Sequence, residues 1–245
     1  MLTTCKSPLR SLGALLCAVL IGGGSVGCVK VEQTLTLKAD GSGVLTIRYG
    51  MAEADLAQVE SLARSQLAEE GLPAESVVNP FEFDEAEVRK DFEAYRELGV
   101  TLEQMRTEVV DGWKYLHMRM AFTTLAGLGQ TEFLSDRQIT LKKVGEGRYE
   151  LVQGAPPGSE AAEMEVAPEL MAEMMKGFRA ELRVEVPGDI VETNADEQKS
   201  RQAVWIFDVD RDAKALQRAQ RLAMRVMFEA PGLVLPDYVS PGSEE

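Results

Sequence analysis

Three times in this chain, two runs of alternating apolar and polar residues stand on either side of a short turn, and that repetition commits it to antiparallel sheet. In the first pair, Val31 to Leu37 and Val44 to Tyr49 flank "ADGSG", with Leu45, Ile47 and Tyr49 on one face. In the second, Thr101 to Val110 and Trp113 to Phe122 flank Asp111-Gly112, with Leu116, Met118, Met120 and Phe122 on the apolar face. The third is "RQITLKKVGEGRYELVQ". Side chains alternate between the two faces of a strand, and Asp-Gly tolerates the left-handed backbone of tight hairpin turns. A hairpin with one apolar face has to bury that face against something else.

The sequence offers amphipathic helices as the cover. "AEADLAQVESLARSQLAEEG" spaces Leu56, Val59, Leu62 and Leu67 near one helical face, and Gly71 fits the stop. A second helix begins at Asp84, with Glu87 three residues on; Val88, Phe92 and Tyr95 line it and Gly99 ends it. A short helical turn is expected at "TLAGL", and "GAPPGSEAAEME" reads as an exposed loop. Pro168 suits the first position of a third helix, whose stripe is Met171, Met174, Met175 and Phe178. Further on, Leu182, Val184 and Val186 alternate up to Pro187-Gly188, Val204 to Val209 is extended, and Leu222, Met224, Val226 and Phe228 suggest a last strand. The expected fold class is α+β, a mainly antiparallel sheet built from hairpins with helices packed on one face.

Ahead of the first strand, "MLTTCKSPLR" carries Lys6 and Arg10 and no acid. "SLGALLCAVLI" is an apolar run short for a membrane span, and small residues follow it. That order predicts a secretory signal peptide over residues 1–27. "GGGSVGC", Gly22 to Cys28, also matches G-x-G-x-x-G. A dinucleotide loop needs a helix after the glycines to receive the pyrophosphate, whereas Val31, Leu35 and Leu37 alternate as in a strand, so no cofactor is expected.

"SVGC" resembles the lipobox at which bacterial lipoproteins are lipidated on Cys and cleaved just before it, with Ser25 where Leu is usual. The resemblance implies that Cys28 becomes the first residue of the mature chain and carries lipid. Ordinary cleavage after Gly27 is the alternative. In lipoproteins of two-membrane bacteria, Asp directly after the lipidated Cys usually means inner-membrane retention. Val29 there implies the outer membrane, facing the periplasm, if two membranes are present.

Removing residues 1–27 from the 245 takes away two of the 26 basic residues and none of the 40 acidic ones, which leaves a net charge of −16. Such a chain lacks the basic surface that nucleic acid or anionic headgroups require. Cys5 and Cys17 leave with the signal, so Cys28 is the one remaining thiol and packing alone must hold the fold. We expect a single domain over residues 28–233 and a flexible tail over 234–245.

Three groups of residues invite a chemical reading. "DVDRD", Asp208, Asp210 and Asp212, opens like a calcium loop, but Ala213 and Ala219 stand where the loop needs Gly and Glu, so the acids are expected to end a strand and cap a turn. His117, the only histidine, is a catalytic candidate without a histidine cluster or a G-x-S-x-G nucleophile motif; an ordinary histidine on a sheet surface is the simpler reading. No metal site and no catalytic residue is expected. Met171, Met174, Met175 and Phe178 read either as core filling or as an adaptable groove for an apolar ligand.

The lipidated Cys, an early strand with a "DGSG" turn and the late "VPGDIVETNAD…AVWIFD" segment together resemble bacterial lipoproteins of the LppM type. The similarity spans most of the mature chain and implies an α+β envelope domain of a kind that accommodates lipid. The expected function is that of a membrane-anchored, non-enzymatic envelope lipoprotein that binds a lipid or a protein partner. A structural or assembly lipoprotein without a ligand is the first alternative and a hydrolase the second.

Overall fold

The structure, a computed structural model, describes residues 29–57, 61, 81, 84–131, 134, 139–154, 168–233 and 235. Its strands in chain order are β1 (Val29–Leu37), β2 (Gly43–Ala52), β3 (Val100–Val110), β4 (Trp113–Phe122), β5 (Ile139–Gly145), β6 (Arg148–Gln153), β7 (Arg179–Glu185), β8 (Asp189–Thr193), β9 (Glu197–Lys199), β10 (Gln202–Asp208) and β11 (Met224–Glu229). The three hairpins read from sequence are β1–β2, β3–β4 and β5–β6. At the tip of the second, Asp111 (φ 52°) and Gly112 (φ 75°) both take the left-handed backbone that a two-residue turn demands.

The first two hairpins fuse because β2 also pairs with β4, which places Leu45 opposite Met120 and Ile47 opposite Met118. On its other edge β1 takes β7 as a parallel neighbour, and Thr36 Oγ1 donates to Glu185 Oε2 at 3.0 Å across 149 residues of sequence. The outcome is a seven-stranded sheet, β3-β4-β2-β1-β7-β10-β9, in which β1·β7 is the one parallel pair. A second, antiparallel sheet runs β5-β6-β11-β8.

The helices are short. α1 (Glu85–Phe92) starts at Asp84, whose carboxylate accepts from the N–H groups of Ala86 and Glu87, and buries Val88 and Phe92. It runs on as a 3-10 helix (Glu93–Leu98) that ends where Gly99 turns left-handed at φ 73°. α2 (Leu125–Gly129) is capped by Thr124; α3 (Pro168–Met174) and α4 (Ala215–Arg221) follow. Residues 53–57 are helical and Leu56 is buried, while Val59, Leu62, Leu67 and Gly71 of the first expected helix lie outside the described residues.

The α+β expectation therefore holds only in part. Strand dominates, and a second sheet takes much of the covering role assigned to helices: one continuous core joins Leu35, Leu45, Met118 and Trp205 of the large sheet to Leu151, Val226 and Phe228 of the small one. β8 and β9 are what the sequence reading lacked. Their residues, "DIVET" and "EQK", are short and charged, and mostly exposed, so no apolar alternation marks them. The 1–27 signal, Cys28 and most of the 234–245 tail lie outside the described residues.

Candidate functional site

On the outer face of the large sheet, one row of register sets Glu32, Arg48, His117 and Arg106 side by side. His117 Nε2 lies 2.7 Å from Glu108 Oε1, and Arg106 donates to the other oxygen of that carboxylate. The Arg106 hydrogen bond, and after it the His117 one, hold the Glu108 carboxyl below its ordinary range. Arg48 bridges to Glu32 at 3.0 Å and lays its guanidinium 3.7 Å from the centre of the Tyr115 ring. That ring reaches Arg48 because Gly50 has no side chain; a Cβ there would stand 2.4 Å from it. Among the described residues Glu108 is the hydrogen-bond partner of His117, which is how a histidine in a sheet-surface ion network is held.

The acids of "DVDRD" are spent on the backbone. Asp208 Oδ1 accepts from the N–H of Asp210, its Oδ2 takes Arg179 at 2.9 Å, Asp210 Oδ1 accepts from Gly177 N–H and Asp212 Oδ1 from Lys214 N–H. Asp208 ends β10 as the sequence reading has it, and the acids shape the turn before α4, but the N-cap of α4 is Lys214 with no side-chain cap bond, so none of them caps that helix. Among the described residues no group of three or more His, Cys, Asp or Glu side chains is placed to hold a metal ion.

The third helix ends at Met174, so of the four ligand candidates expected on its stripe Met175 and Phe178 lie in the turn that follows it, both as buried members of the core. The side chains of Met171 and Met174 lie outside what is described. Phe178 N–H closes onto Met175 C=O at 2.9 Å and its own C=O receives Val209 N–H, so this corner is pinned to the end of β10. A second Met-rich surface lies inside the large sheet, where Met51, Met105, Met118 and Met120 are all buried. Within it sits Tyr49, between Ile47 and Met51 on β2, stacked on Phe81 with ring centres 5.6 Å apart. The Tyr49 hydroxyl is buried without a hydrogen-bond partner among the described residues, and burial pushes its pKa well up.

Two features of the structure escaped the sequence reading. In "VETNAD", Asn194 Nδ2 donates to Ala223 C=O at 2.7 Å while its Oδ1 accepts from Arg225 N–H and from the Trp205 indole. Asp196 accepts from Ile206 N–H at 2.7 Å and pairs with Arg218 at 2.7 Å, and Arg218 also donates to Ile206 C=O. The pair thus closes the stretch of β10 that short β9 leaves uncovered. The signal available was the placement of Asn and Asp between two strands with a partner Arg in the next helix, but nothing in a single sequence pairs Asp196 with Arg218. The other feature is the rim where β1 begins, since Val29, Met51, Lys114 and Val109 fall in one register row.

Among the described residues no helix is long and apolar enough to cross a membrane. Neither a protein-family model nor a curated protein matches the sequence. Among solved structures the chain is similar, distantly, to the NMR structure of the folded domain of the Mycobacterium tuberculosis LppM protein, with a TM-score of 0.42 and 13% identity over 89% of this chain and 95% of that one.

Proposed function

We propose that this protein is an envelope lipoprotein tethered through lipid on Cys28, that it binds a lipid or an envelope protein, and that it performs no catalysis. The observation that carries the tether is the place of Val29 in the sheet. Val29, directly after Cys28, is buried and already paired with Met51 in β1. The residue that follows the cleavage-site cysteine of "SVGC" is thus already part of the sheet, so lipid on Cys28 stands directly beside β1. Two or three acyl chains on one cysteine hold firmly, at ~0.8 kcal/mol per buried CH₂.

Lipid is the ligand class that the inner face supports best. Thioether side chains adapt to irregular apolar shapes, and four of them line β2, β3 and β4 next to an unpaired hydroxyl. A carboxyl or ester oxygen on a bound acyl chain supplies the acceptor that Tyr49 lacks among the described residues. Mass spectrometry of the mature N-terminus tests the tether: a diacylglyceryl mass on Cys28 is expected, and an unmodified Cys28 or an N-terminus elsewhere overturns it. Native mass spectrometry of the purified protein tests the ligand. Retained lipid that falls in Tyr49→Phe supports lipid binding, whereas a lipid-free protein crosslinked only to other proteins returns it to an assembly role.

A further inference from the structure

We infer that the tip of the β3–β4 hairpin is a second membrane contact, which rests in the headgroup layer beside the lipid on Cys28; the inference builds on the tether proposed above. The register row Val29–Met51–Lys114–Val109 runs straight across β1, β2, β4 and β3. Three inter-strand steps of ~4.8 Å put the hairpin end about 14 Å from the start of β1, at the same rim of the sheet. One row further out stand Ala52, Trp113 and Val110. A bilayer that holds residue 28 is therefore level with these side chains.

The chemistry of this rim suits a lipid surface. Val109 is 55% and Val110 44% exposed, one on each face of the hairpin. Scattered exposed valines are ordinary on a protein surface. Here two consecutive ones overhang the end of an edge strand, beside Trp113, whose ring carries Lys30 Nζ at 3.6 Å and stacks on Tyr115. Trp and Lys together are the pair that settles where acyl chains meet headgroups, the ring in the apolar boundary and the ammonium in water. Asp111, at the turn, keeps insertion shallow because a carboxylate stays in the headgroup layer. The net charge of −16 once residues 1–27 are removed rules out electrostatic recruitment, so the contact is apolar and works because the anchor supplies a high local concentration. Its effect is to fix how the domain stands on the membrane.

Two tryptophans make the test direct, since Trp205 is fully buried and Trp113 is not. Full-length protein is produced in a bacterium that acylates lipoproteins, checked for acyl mass on Cys28, and reconstituted into phosphatidylcholine vesicles with and without acyl-brominated phosphatidylcholine. Brominated lipid is expected to quench part of the tryptophan emission; that part disappears in Trp113→Phe, and in the double variant Val109→Asp, Val110→Asp it falls to the unquenched level with the melting temperature unchanged. Acylated Cys28 with no quenching of Trp113, or quenching that survives the double variant, overturns the hairpin contact and leaves the tether standing. An unacylated Cys28 overturns both. If the double variant fails to fold, the wild-type and Trp113→Phe arms still decide. Crosslinking between two copies through β3, without quenching, counts against the bilayer as the occupant.

Discussion

The indole N–H of Trp205 donates to Asn194 Oδ1 at 3.2 Å, and that bond ties β10, one strand in from the edge of the large sheet, to the edge of the small one. Trp205 lies opposite Leu182 in β7, while Asn194 follows β8 and also holds the start of β11 through Arg225 and Ala223. One amide side chain thus serves three partners from two parts of the chain, Trp205 and the stretch Ala223 to Arg225.

Asn194→Ala therefore strands three groups at once, among them a fully buried indole N–H. An unpaired buried donor costs about 1–3 kcal/mol, while the Ala223 and Arg225 groups are exposed and water can replace their partner, so the variant is expected to lose about 1–3 kcal/mol in urea unfolding. Adding Trp205→Phe to the Asn194→Ala variant should recover part of the loss, since it removes the orphaned donor; no recovery would mean the indole bond contributes little.

Acid sensitivity should concentrate at Asp196. Burial alone would raise its pKa, but the Arg218 hydrogen bond and the Ile206 N–H outweigh it and the carboxyl titrates below its ordinary value. A folded pKa below the unfolded one adds stability that is complete above the unfolded value of ~3.9 and drains away as pH falls through the folded one. Glu108, held down by Arg106 and His117, adds in the same direction. Asp196→Asn should flatten the loss of stability below about pH 4 relative to the wild type. Equal slopes in the two proteins would remove Asp196 from the account.

Gly188 leaves no room for a side chain, because a Cβ there would sit 1.7 Å from the Glu229 carbonyl oxygen. The obstacle is backbone of β11, which cannot step aside without breaking its pairing with β8. Gly188→Ala is expected to cost more than about 3 kcal/mol, or to leave protein that does not accumulate, as overpacked sites do. Near-native stability on thermal unfolding would show that this turn yields.

Tyr49→Phe carries a sign that depends on ligand. In lipid-free protein it removes a buried hydroxyl that has no partner among the described residues, so stability should hold or rise by about 1 kcal/mol. With lipid retained the same change should lower it. Thermal unfolding before and after delipidation distinguishes the two.

Chelator should leave the melting temperature where it was, since Asp208, Asp210 and Asp212 each spend a carboxylate oxygen on a backbone N–H. A fall on adding EDTA would reopen a cation reading of "DVDRD".

What could be read from the sequence was local. The hairpins around Asp40-Gly41 and Asp111-Gly112, the Asp84 cap with its Val88 and Phe92 face, and the Asp208 turn all announce themselves within a few residues, because turn chemistry and periodicity are short-range. What could not be read was partnership across the chain. Leu182 and Val184 alternate as a strand, yet nothing in them says they lie against Gln33 and Leu35. "DIVET" and "EQK" lack an apolar stripe because they sit at sheet margins. The Met171 to Phe178 stripe marked an apolar face and left open what covers it; Met175 and Phe178 are covered by the core.

The parallel seam between β1 and β7 also sets an order of events. β1 and β2 can pair as soon as residue 52 exists, and β4 can join once residue 122 does, because those contacts are close in sequence. The other edge of β1 waits for Arg179–Glu185, 149 positions downstream of its partners. A chain that emerges N-terminus first thus holds, from residue 122 until residue 185, four assembled strands with a row of backbone N–H and C=O groups bare beside Gln33 and Leu35. Such a row invites any passing strand, and long-range pairing closes slowly. The nascent protein is most exposed to misassembly at its first strand, the one that ends up deepest in the sheet.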